Sequence, residues 1–313
     1  MTRLDLERIR AARAAIDPVF LDTPQFECAP LGAELGCAVT LKVETLNPVR
    51  SFKGRGTETV LARLPADAGA VVCASAGNLG QALAWSGARR GIEVIVVAGH
   101  TANPFKLERL QALGADVRLV GVDIEDARLA AREITAAHLV EDSLDVGTCE
   151  GAGTIALELL ERGPRPDVLL VALGGGALAS GVGEVVRGLA PDVEVIGIQP
   201  VGAPAMALSW RSGAVVETPT MATIADGVAG RCPIPEVLDD LRTLLDDVLL
   251  VTEDSIKAGM GLLFRHAGLV VEPSAALGVA ALLENRERFA GRRVATVVCG
   301  SNVAPADWAH WVP

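Results

Sequence analysis

One lysine stands out as a candidate nucleophile because small, flexible residues surround it. Lys53 lies in the segment 47–56, NPVRSFKGRG, between a predicted strand and a predicted helix. Gly54 and Gly56 allow the backbone to approach a flat group closely. A lysine amine becomes a nucleophile when its surroundings lower its pKa, and Schiff-base formation with a carbonyl group is its common use. A surface lysine at a helix start is the alternative that this segment alone leaves open.

A run of three glycines, 174–176, follows a predicted strand and precedes a helix. Such a run forms a nest of backbone N–H donors that suits a phosphate group. The segment lacks the spacing of a dinucleotide fingerprint and the lysine of a P-loop, so a small phosphate ester is favoured. A tight strand-to-helix turn is the alternative. The candidate phosphate-binding residues are Gly174, Gly175, Gly176, Ala177 and Leu178.

The segment Ser75-Ala76-Gly77-Asn78 lies between a predicted strand, 70–74, and a predicted helix, 79–90. A helix N-terminus offers unpaired N–H groups to an anion, and a substrate carboxylate fits that chemistry. The amide of Asn78 can donate or accept a hydrogen bond and so hold a ring oxygen. Ordinary capping of the helix by Ser75 or Asn78 is the alternative.

Two further side chains lie beside predicted helices or strands. Glu272 precedes a predicted helix, 277–283, where it is either a site residue or an acid that complements the helix dipole. Cys299 ends the last predicted strand, and its thiol either faces a ring nitrogen or belongs to a plain turn. A lysine for a Schiff base, a glycine nest for a phosphate and a partner for a ring nitrogen together describe pyridoxal phosphate.

Composition and charge exclude several other classes of protein. The chain has 313 residues, half of them hydrophobic, and 33 glycines, which indicates an α/β enzyme rather than a disordered or fibrous chain. The formal charge of -11 argues against nucleic acid as a partner. No apolar run reaches the about 18 residues that span a membrane, and the N-terminus has no signal core, so a cytoplasmic protein is expected. The scattered cysteines and histidines show no metal-ligand spacing.

Short apolar segments alternate with segments of helical periodicity. The predicted strands are 38–43, 70–74, 93–98, 116–120, 167–173, 193–199, 247–251 and 294–299. The predicted helices include 4–16, 79–90, 104–113, 123–137, 151–162, 255–267 and 277–283. This alternation predicts an α/β fold with mostly parallel sheets flanked by helices, whose ligands bind at the carboxyl ends of the strands.

No linker or repeat divides the chain, but the block 45–140 is typical of a compact α/β unit of its own. The predicted organisation is a large domain, 1–44 and 141–313, with the small domain 45–140 inserted in it. The active site is expected in the cleft between the two domains.

The chain resembles the fold-type II pyridoxal-phosphate enzymes, and within them the threonine/serine dehydratase (ammonia-lyase) group, which is related to serine racemase. The resemblance covers about residues 23–302 and rests on the segments 51–56, 75–78, 174–178, 223–227, 272–275 and 299–302. It implies two α/β domains of the tryptophan synthase β type, pyridoxal 5'-phosphate as cofactor, a small amino-acid substrate and a homodimer.

The resemblance also implies a role for each segment. Lys53 would carry the Schiff base and act as the base at the substrate α-carbon, Asn78 would hold the ring hydroxyl, and Cys299 would face the ring nitrogen. The implied cofactor-binding residues are Phe52, Lys53, Asn78, Gly174, Gly175, Gly176, Ala177, Leu178, Glu272 and Cys299. The implied substrate-binding residues are Ser51, Ser75, Ala76, Gly77 and Asn78.

The implied reaction is a β-elimination on L-threonine or L-serine. Lys53 removes the α-proton, the β-hydroxyl leaves, and hydrolysis of the product releases a 2-oxo acid and ammonia. A neutral thiol at Cys299 does not favour a protonated pyridine, which suits prompt loss of the hydroxyl. The chain ends at 313 with no room for the regulatory domain of biosynthetic threonine dehydratases, so an unregulated enzyme is expected.

Departures from the pattern of these relatives define the alternatives. Serine racemases have a serine at the position of Ala76, and alanine cannot transfer a proton, so a racemase is disfavoured. Arg50 replaces a common glycine, and it either reads an acidic substrate such as 3-hydroxyaspartate or is solvated. Gln199, Ala203 and Ala205 stand where metal-activated relatives have acidic residues, so no divalent-cation site is expected. A β-replacement synthase and a non-catalytic binding module are further alternatives.

Overall fold

Two sheets organise the chain in this computed structural model, which describes residues 2–65, 67–122 and 124–312. The strands are β1 (Gln25–Glu27), β2 (Ala38–Val43), β3 (Ala70–Ala74), β4 (Val94–Ala98), β5 (Asp116–Leu119), β6 (Ala137–Leu139), β7 (Val168–Ala172), β8 (Glu194–Pro200), β9 (Asp247–Val251) and β10 (Arg293–Val298). The helices are α1 (Leu6–Ala15), α2 (Ala29–Leu35), α3 (Lys53–Arg63), α4 (Asn78–Arg90), α5 (Pro104–Ala112), α6 (Ile124–Arg132), α7 (Val146–Arg162), α8 (Ala177–Leu189), α9 (Ala205–Ser212), α10 (Pro235–Leu244), α11 (Glu253–Ala267), α12 (Leu277–Glu284), α13 (Arg286–Phe289) and α14 (Pro305–Trp311). Short 3-10 helices cover Pro18–Phe20, Asp226–Val228 and Pro273–Ala276.

Among the described residues, the larger sheet has the strand order β1-β2-β10-β7-β8-β9, and every neighbouring pair except β1 and β2 is parallel. The smaller sheet has the order β5-β4-β3-β6 and is parallel throughout. Every residue of the central strand β4, VIVVA, is buried, as expected for a sheet covered by helices on both faces. The predicted α/β class with mostly parallel sheets is confirmed.

The strands of the smaller sheet all lie between residues 70 and 139, and those of the larger sheet lie outside this range. The exact domain boundaries, 1–44 with 141–313 and 45–140, stay a prediction. Within the ranges that the structure describes, every helix is too short or too polar to cross a membrane.

Two short edge strands differ from the sequence-based expectation. β1 pairs with β2 in a stretch without a predicted element, and β6 pairs with β3 where the predicted helix 123–137 ends. That helix prediction is wrong at its end, because α6 stops at Arg132 and the chain turns before β6 begins. Its predicted first residue, Asp123, lies outside the described residues. The alanine-rich sequence around 130–137 concealed the boundary.

Two glycines bring the first turns of α3 and α7 into backbone contact. A Cβ atom on Gly56 would lie 2.8 Å from the carbonyl oxygen of Thr148, and one on Gly151 would lie 2.3 Å from that of Arg55. Packing this close requires glycine at both positions. It sets Lys53, the first residue of α3, against the loop that precedes α7.

A buried ion cluster joins the start of α3 to β2 and α7. The Arg55 guanidinium donates to Glu44 at 2.8 and 2.9 Å and to Glu158 at 2.7 and 3.0 Å, and Lys42 also pairs with Glu158. All four side chains are fully buried. Burial raises the pKa of Glu158, but Arg55 and Lys42 lower it by more, to about 2. Glu158 therefore remains charged at neutral pH.

Candidate active site

The amine of Lys53 faces a carboxylate. Lys53 Nζ lies 2.7 Å from Oδ1 and 2.6 Å from Oδ2 of Asp142, and the two side chains are 12% and 32% exposed. The Phe52 ring packs beside the amine, with its centroid 4.7 Å from Nζ. Lys53 is thus a largely buried member of an ion pair, unlike a solvated lysine at a helix start.

Backbone hydrogen bonds join the Lys53 loop to the end of β10. The Phe52 N–H donates to the carbonyl of Cys299 at 3.0 Å, and the Ser301 N–H donates to the carbonyl of Arg50 at 2.9 Å. Ser51 lies between these contacts and forms an isolated bridge with Gly300. The Ser51 hydroxyl is buried and has no hydrogen-bond partner among the described residues, so it is available to a ligand.

The glycine run turns from β7 into α8 with free backbone donors. Within the described ranges, no acceptor faces the N–H groups of Gly174, Gly175 and Gly176, while the Ala177 N–H donates to Ser143 Oγ at 3.0 Å. Gly176 has a φ of 109°, which favours glycine. A Cβ atom on Gly175 would lie 2.9 Å from Ser143 Oγ, so a side chain there would fill the cradle. Open donors at a helix N-terminus fit the phosphate of pyridoxal phosphate.

The segment 75–78 forms a second helix start. Gly77 is the cap residue of α4 and makes no side-chain capping bond, whereas Asn78 already belongs to the helix. The Ser75 hydroxyl accepts a hydrogen bond of 3.3 Å from the Gly77 N–H. In the described part of the chain, the N–H groups of Ala76 and Asn78 have no acceptor. Asn78 therefore does not cap the helix. The free backbone donors of this segment suit a carboxylate.

Asn78, Glu272 and Asn302 form one hydrogen-bonded cluster. Glu272 accepts from Asn78 Nδ2 at 2.8 Å and from the Asn302 N–H at 2.9 Å, and Asn302 Nδ2 donates to Asn78 Oδ1 at 2.7 Å. Burial raises the pKa of the Glu272 carboxyl, and the charge of Lys106 opposes this effect. A Cβ atom on Gly300 would lie 2.6 Å from the Glu272 carboxylate, so only glycine leaves room for this cluster.

The Cys299 thiol lies beside the same cluster and is buried. Burial raises the pKa of this thiol well above its usual range, and the charge of Glu272 adds to the effect. The thiol is therefore neutral at physiological pH. Its place opposite a ring nitrogen stays a prediction.

The site also contains residues that the sequence analysis does not assign to it. Asp142 and Ser143 lie in the loop between β6 and α7, and Asn302 follows Cys299 and Gly300 after β10. The sequence offered one signal for these residues, which was their position: each segment follows the carboxyl end of a parallel strand, where ligands bind. For Asp142 that signal was lost because β6 was not predicted.

Arg50 adopts a left-handed conformation with a φ of 51°, and its side chain is exposed. In the described residues it forms no ion pair, and its charge, after the larger effect of burial, lowers the pKa of Arg109 on α5. A role in reading an acidic substrate stays a prediction. Gln199 is buried, and its Oε1 accepts a hydrogen bond from the Ala207 N–H at 2.8 Å.

Known proteins resemble the chain over nearly its full length. The family model described as "Pyridoxal-phosphate dependent enzyme" matches residues 16–300. The phenylserine dehydratase of Ralstonia pickettii is 33% identical over 311 residues, covering 98% of this chain and 95% of that protein. The L-threonine ammonia-lyase of Thermotoga maritima is 33% identical over 96% of this chain and 76% of its own length. The structure of maize serine racemase superimposes with a TM-score of 0.92 at 29% identity, covering 98% of this chain and 96% of that one.

Proposed function

This chain belongs to the pyridoxal-phosphate dependent enzymes, and from that premise we propose that it is an ammonia-lyase that removes the β-hydroxyl of L-threonine or L-serine. The predicted family, fold class, cofactor and enzyme class, a lyase that uses pyridoxal phosphate, are confirmed at the level of the family. The substrate, the homodimer and the cytoplasmic location belong to the proposal.

The observation that carries the proposal is the position of the Lys53 amine. Its loop is bonded to the carboxyl end of β10, and its partner Asp142 immediately precedes Ser143, whose hydroxyl accepts from the Ala177 N–H just after the glycine run. The candidate base and the candidate phosphate cradle are thus connected through two consecutive residues. The similarity to a phenylserine dehydratase and to an L-threonine ammonia-lyase supports elimination of a β-hydroxyl.

The residues around Lys53 supply binding and proton transfer. The N–H groups of 174–176 would hold the phosphate, and those of Ala76 and Asn78 would hold the substrate carboxylate. When bound, pyridoxal phosphate acts as an electron sink for the α-carbon. Lys53 takes the α-proton, while the neutral Cys299 thiol leaves the ring nitrogen without a charged partner.

A racemase is the second candidate, because maize serine racemase shares the fold over nearly the whole chain. Racemisation needs a proton donor on the face of the substrate opposite Lys53. Ala76 has only a methyl group, which packs against the apolar core of the smaller sheet. This observation favours elimination over racemisation.

Release of 2-oxo acid from L-serine, L-threonine, phenylserine and threo-3-hydroxyaspartate tests the proposal. We expect release from a neutral hydroxy-amino acid, loss of release in Lys53→Ala, and normal release in Lys257→Ala, a control lysine on α11. Enantiomer formation faster than 2-oxo acid formation would make the protein a racemase. A preference for 3-hydroxyaspartate that disappears in Arg50→Ala would assign the acidic substrate instead.

A further inference from the structure

The proposed roles leave the ion pair between Lys53 and Asp142 unused. Both carboxylate oxygens of Asp142 lie within 2.7 Å of Lys53 Nζ, so the pair is bidentate. Asp142 Oδ2 would also lie 4.0 Å from a Cβ atom on Gly175. The carboxylate therefore reaches both the proposed base and the proposed phosphate cradle.

The backbone around Asp142 is held in place from three sides. Ser143 has a left-handed φ of 68°, which is unusual for a residue other than glycine. Its N–H donates to Thr148 Oγ1 at 3.0 Å, its hydroxyl accepts from Ala177, and its carbonyl accepts from Arg3 at 3.0 Å. An uncommon conformation that several contacts maintain is typical of a functional position.

We propose that Asp142 is a positioning residue for proton transfer by Lys53, a role that rests on the proposed function. The carboxylate holds the ammonium form of Lys53 after the amine has taken the α-proton. It thereby keeps that proton directed at the departing β-hydroxyl. A carboxylate stabilises an adjacent ammonium through a charge-assisted hydrogen bond, which a neutral side chain does not match.

The proton balance of this step is closed. The electron pair of the α-carbon–hydrogen bond becomes the second bond between the α- and β-carbons, and the bond from the β-carbon to oxygen breaks with its pair on oxygen. The proton on Lys53 passes to that oxygen, and water leaves. Lys53 returns to the neutral amine, so the step needs no oxidant, reductant or additional acid.

The same ion pair should hinder the protein before the cofactor is bound, although it assists turnover afterwards. An ammonium cannot attack a carbonyl group, and the Asp142 carboxylate repels a phosphate that approaches 174–176. Asp142 should therefore slow the uptake of pyridoxal phosphate by the cofactor-free protein while it speeds turnover. A purely structural residue would change both rates in the same direction.

The test compares Asp142→Asn with Asp142→Glu and with the control Asp145→Asn. Asp145 lies three residues further on and caps α7, and asparagine is also a good cap, so the control changes the same charge without facing Lys53. Absorbance measures cofactor uptake by the cofactor-free protein, and 2-oxo acid release measures turnover. Substrate deuterated at the α-carbon reports on proton transfer itself.

In Asp142→Asn we expect kcat to fall by about 100-fold, the lower end for a proton-transfer group. Uptake of the cofactor should rise by about fivefold, the effect of removing one like charge near 4 Å in water. The isotope effect on kcat should increase with little change in KM, and Asp142→Glu should restore most of the turnover. Both rates in Asp145→Asn should stay within about twofold of the natural protein.

Turnover of Asp142→Asn within about twofold of the natural protein overturns the proposal. A parallel loss of uptake and turnover also overturns it, because the residue is then merely structural. If Asp142→Asn does not fold, Asp142→Ser takes its place with the same criteria. If the natural protein releases no 2-oxo acid from any substrate, the proposed function fails, and exchange of the substrate α-hydrogen with deuterium oxide measures the role of Asp142 separately.

Discussion

Asn78 and Glu272 are joined by a hydrogen bond of 2.8 Å, although Asn78 follows a strand of the smaller sheet and Glu272 precedes a helix that packs on the larger one. The bond links the two halves of the site directly. It also fixes the orientation of the Asn78 amide, because Asn302 donates to the oxygen of the same amide.

The substitution Glu272→Gln should weaken cofactor binding by about tenfold. Glu272 accepts hydrogen bonds from two donors, whereas the glutamine amide offers only one acceptor oxygen. One buried donor is then left unpaired, which costs about 1–3 kcal/mol. Absorbance titration of the cofactor-free protein with pyridoxal phosphate measures the effect. Glu287→Gln, on the exposed surface of α13, serves as the control and should bind normally. Equal affinity of both variants would show that the orientation of Asn78 does not matter for binding.

Gly175→Ala should impair binding of the cofactor phosphate, since the added methyl group would lie 2.9 Å from Ser143 Oγ. The expected loss of affinity is about tenfold or more, which corresponds to about one lost hydrogen bond to a charged group. Gly230→Ala is the matched control, because a Cβ atom there meets nothing within 4 Å. Pyridoxal without its phosphate should distinguish the two variants much less, and a similar loss with that compound would place the phosphate elsewhere.

Arg55→Met should reduce the free energy of unfolding by about 3–5 kcal/mol, because it leaves Glu44 and Glu158 buried without their main partner. Urea unfolding followed by circular dichroism measures this change. In Arg10→Met, which breaks only the exposed pair with Glu7, the change should be below about 1 kcal/mol. Similar urea midpoints for the two variants would contradict the assignment of the buried cluster as a structural element.

The stability of the protein should decrease in acid as Glu158 becomes protonated. Its pKa is about 2 in the folded protein against a usual value of 4.5, so its contribution is complete above about pH 4.5 and is lost as the pH falls towards 2. Glu272 has the opposite effect on stability in acid. Burial raises its pKa, so the folded protein takes up a proton more readily than the unfolded chain, and protonation of Glu272 favours the folded state. Urea midpoints measured across this range should fall less steeply in Glu158→Gln than in the natural protein.

The pattern of short apolar strands and helices predicted most of the fold. β2, β3 and β9 begin and end where the sequence predicts, and β7 and β10 are placed within one residue at each end. Apolar residues, mainly valine and leucine, make up most of these strands, which leaves little ambiguity. The glycine run and Lys53 were singled out because they combine with Asn78 and Cys299 into a set that suits one cofactor, and their roles in the site stay predictions.

The parts that were missed depend on contacts between distant residues. β6 has three residues with a partly exposed pattern, and only its pairing with β3 makes it a strand. Asp142 was overlooked with it, because its partner Lys53 lies 89 positions earlier in the chain. The role of Asn302 likewise depends on Asn78, which follows a strand of the other sheet. Local sequence does not contain information of this kind.

The attachment of the Lys53 loop to Cys299 has a consequence for folding during synthesis on the ribosome. β10 lies between β2 and β7, so the larger sheet stays incomplete until residues 293–298 have emerged. The loop around Lys53 lacks its backbone partners until then. We therefore expect the candidate cofactor site to form only after β10 has joined the larger sheet.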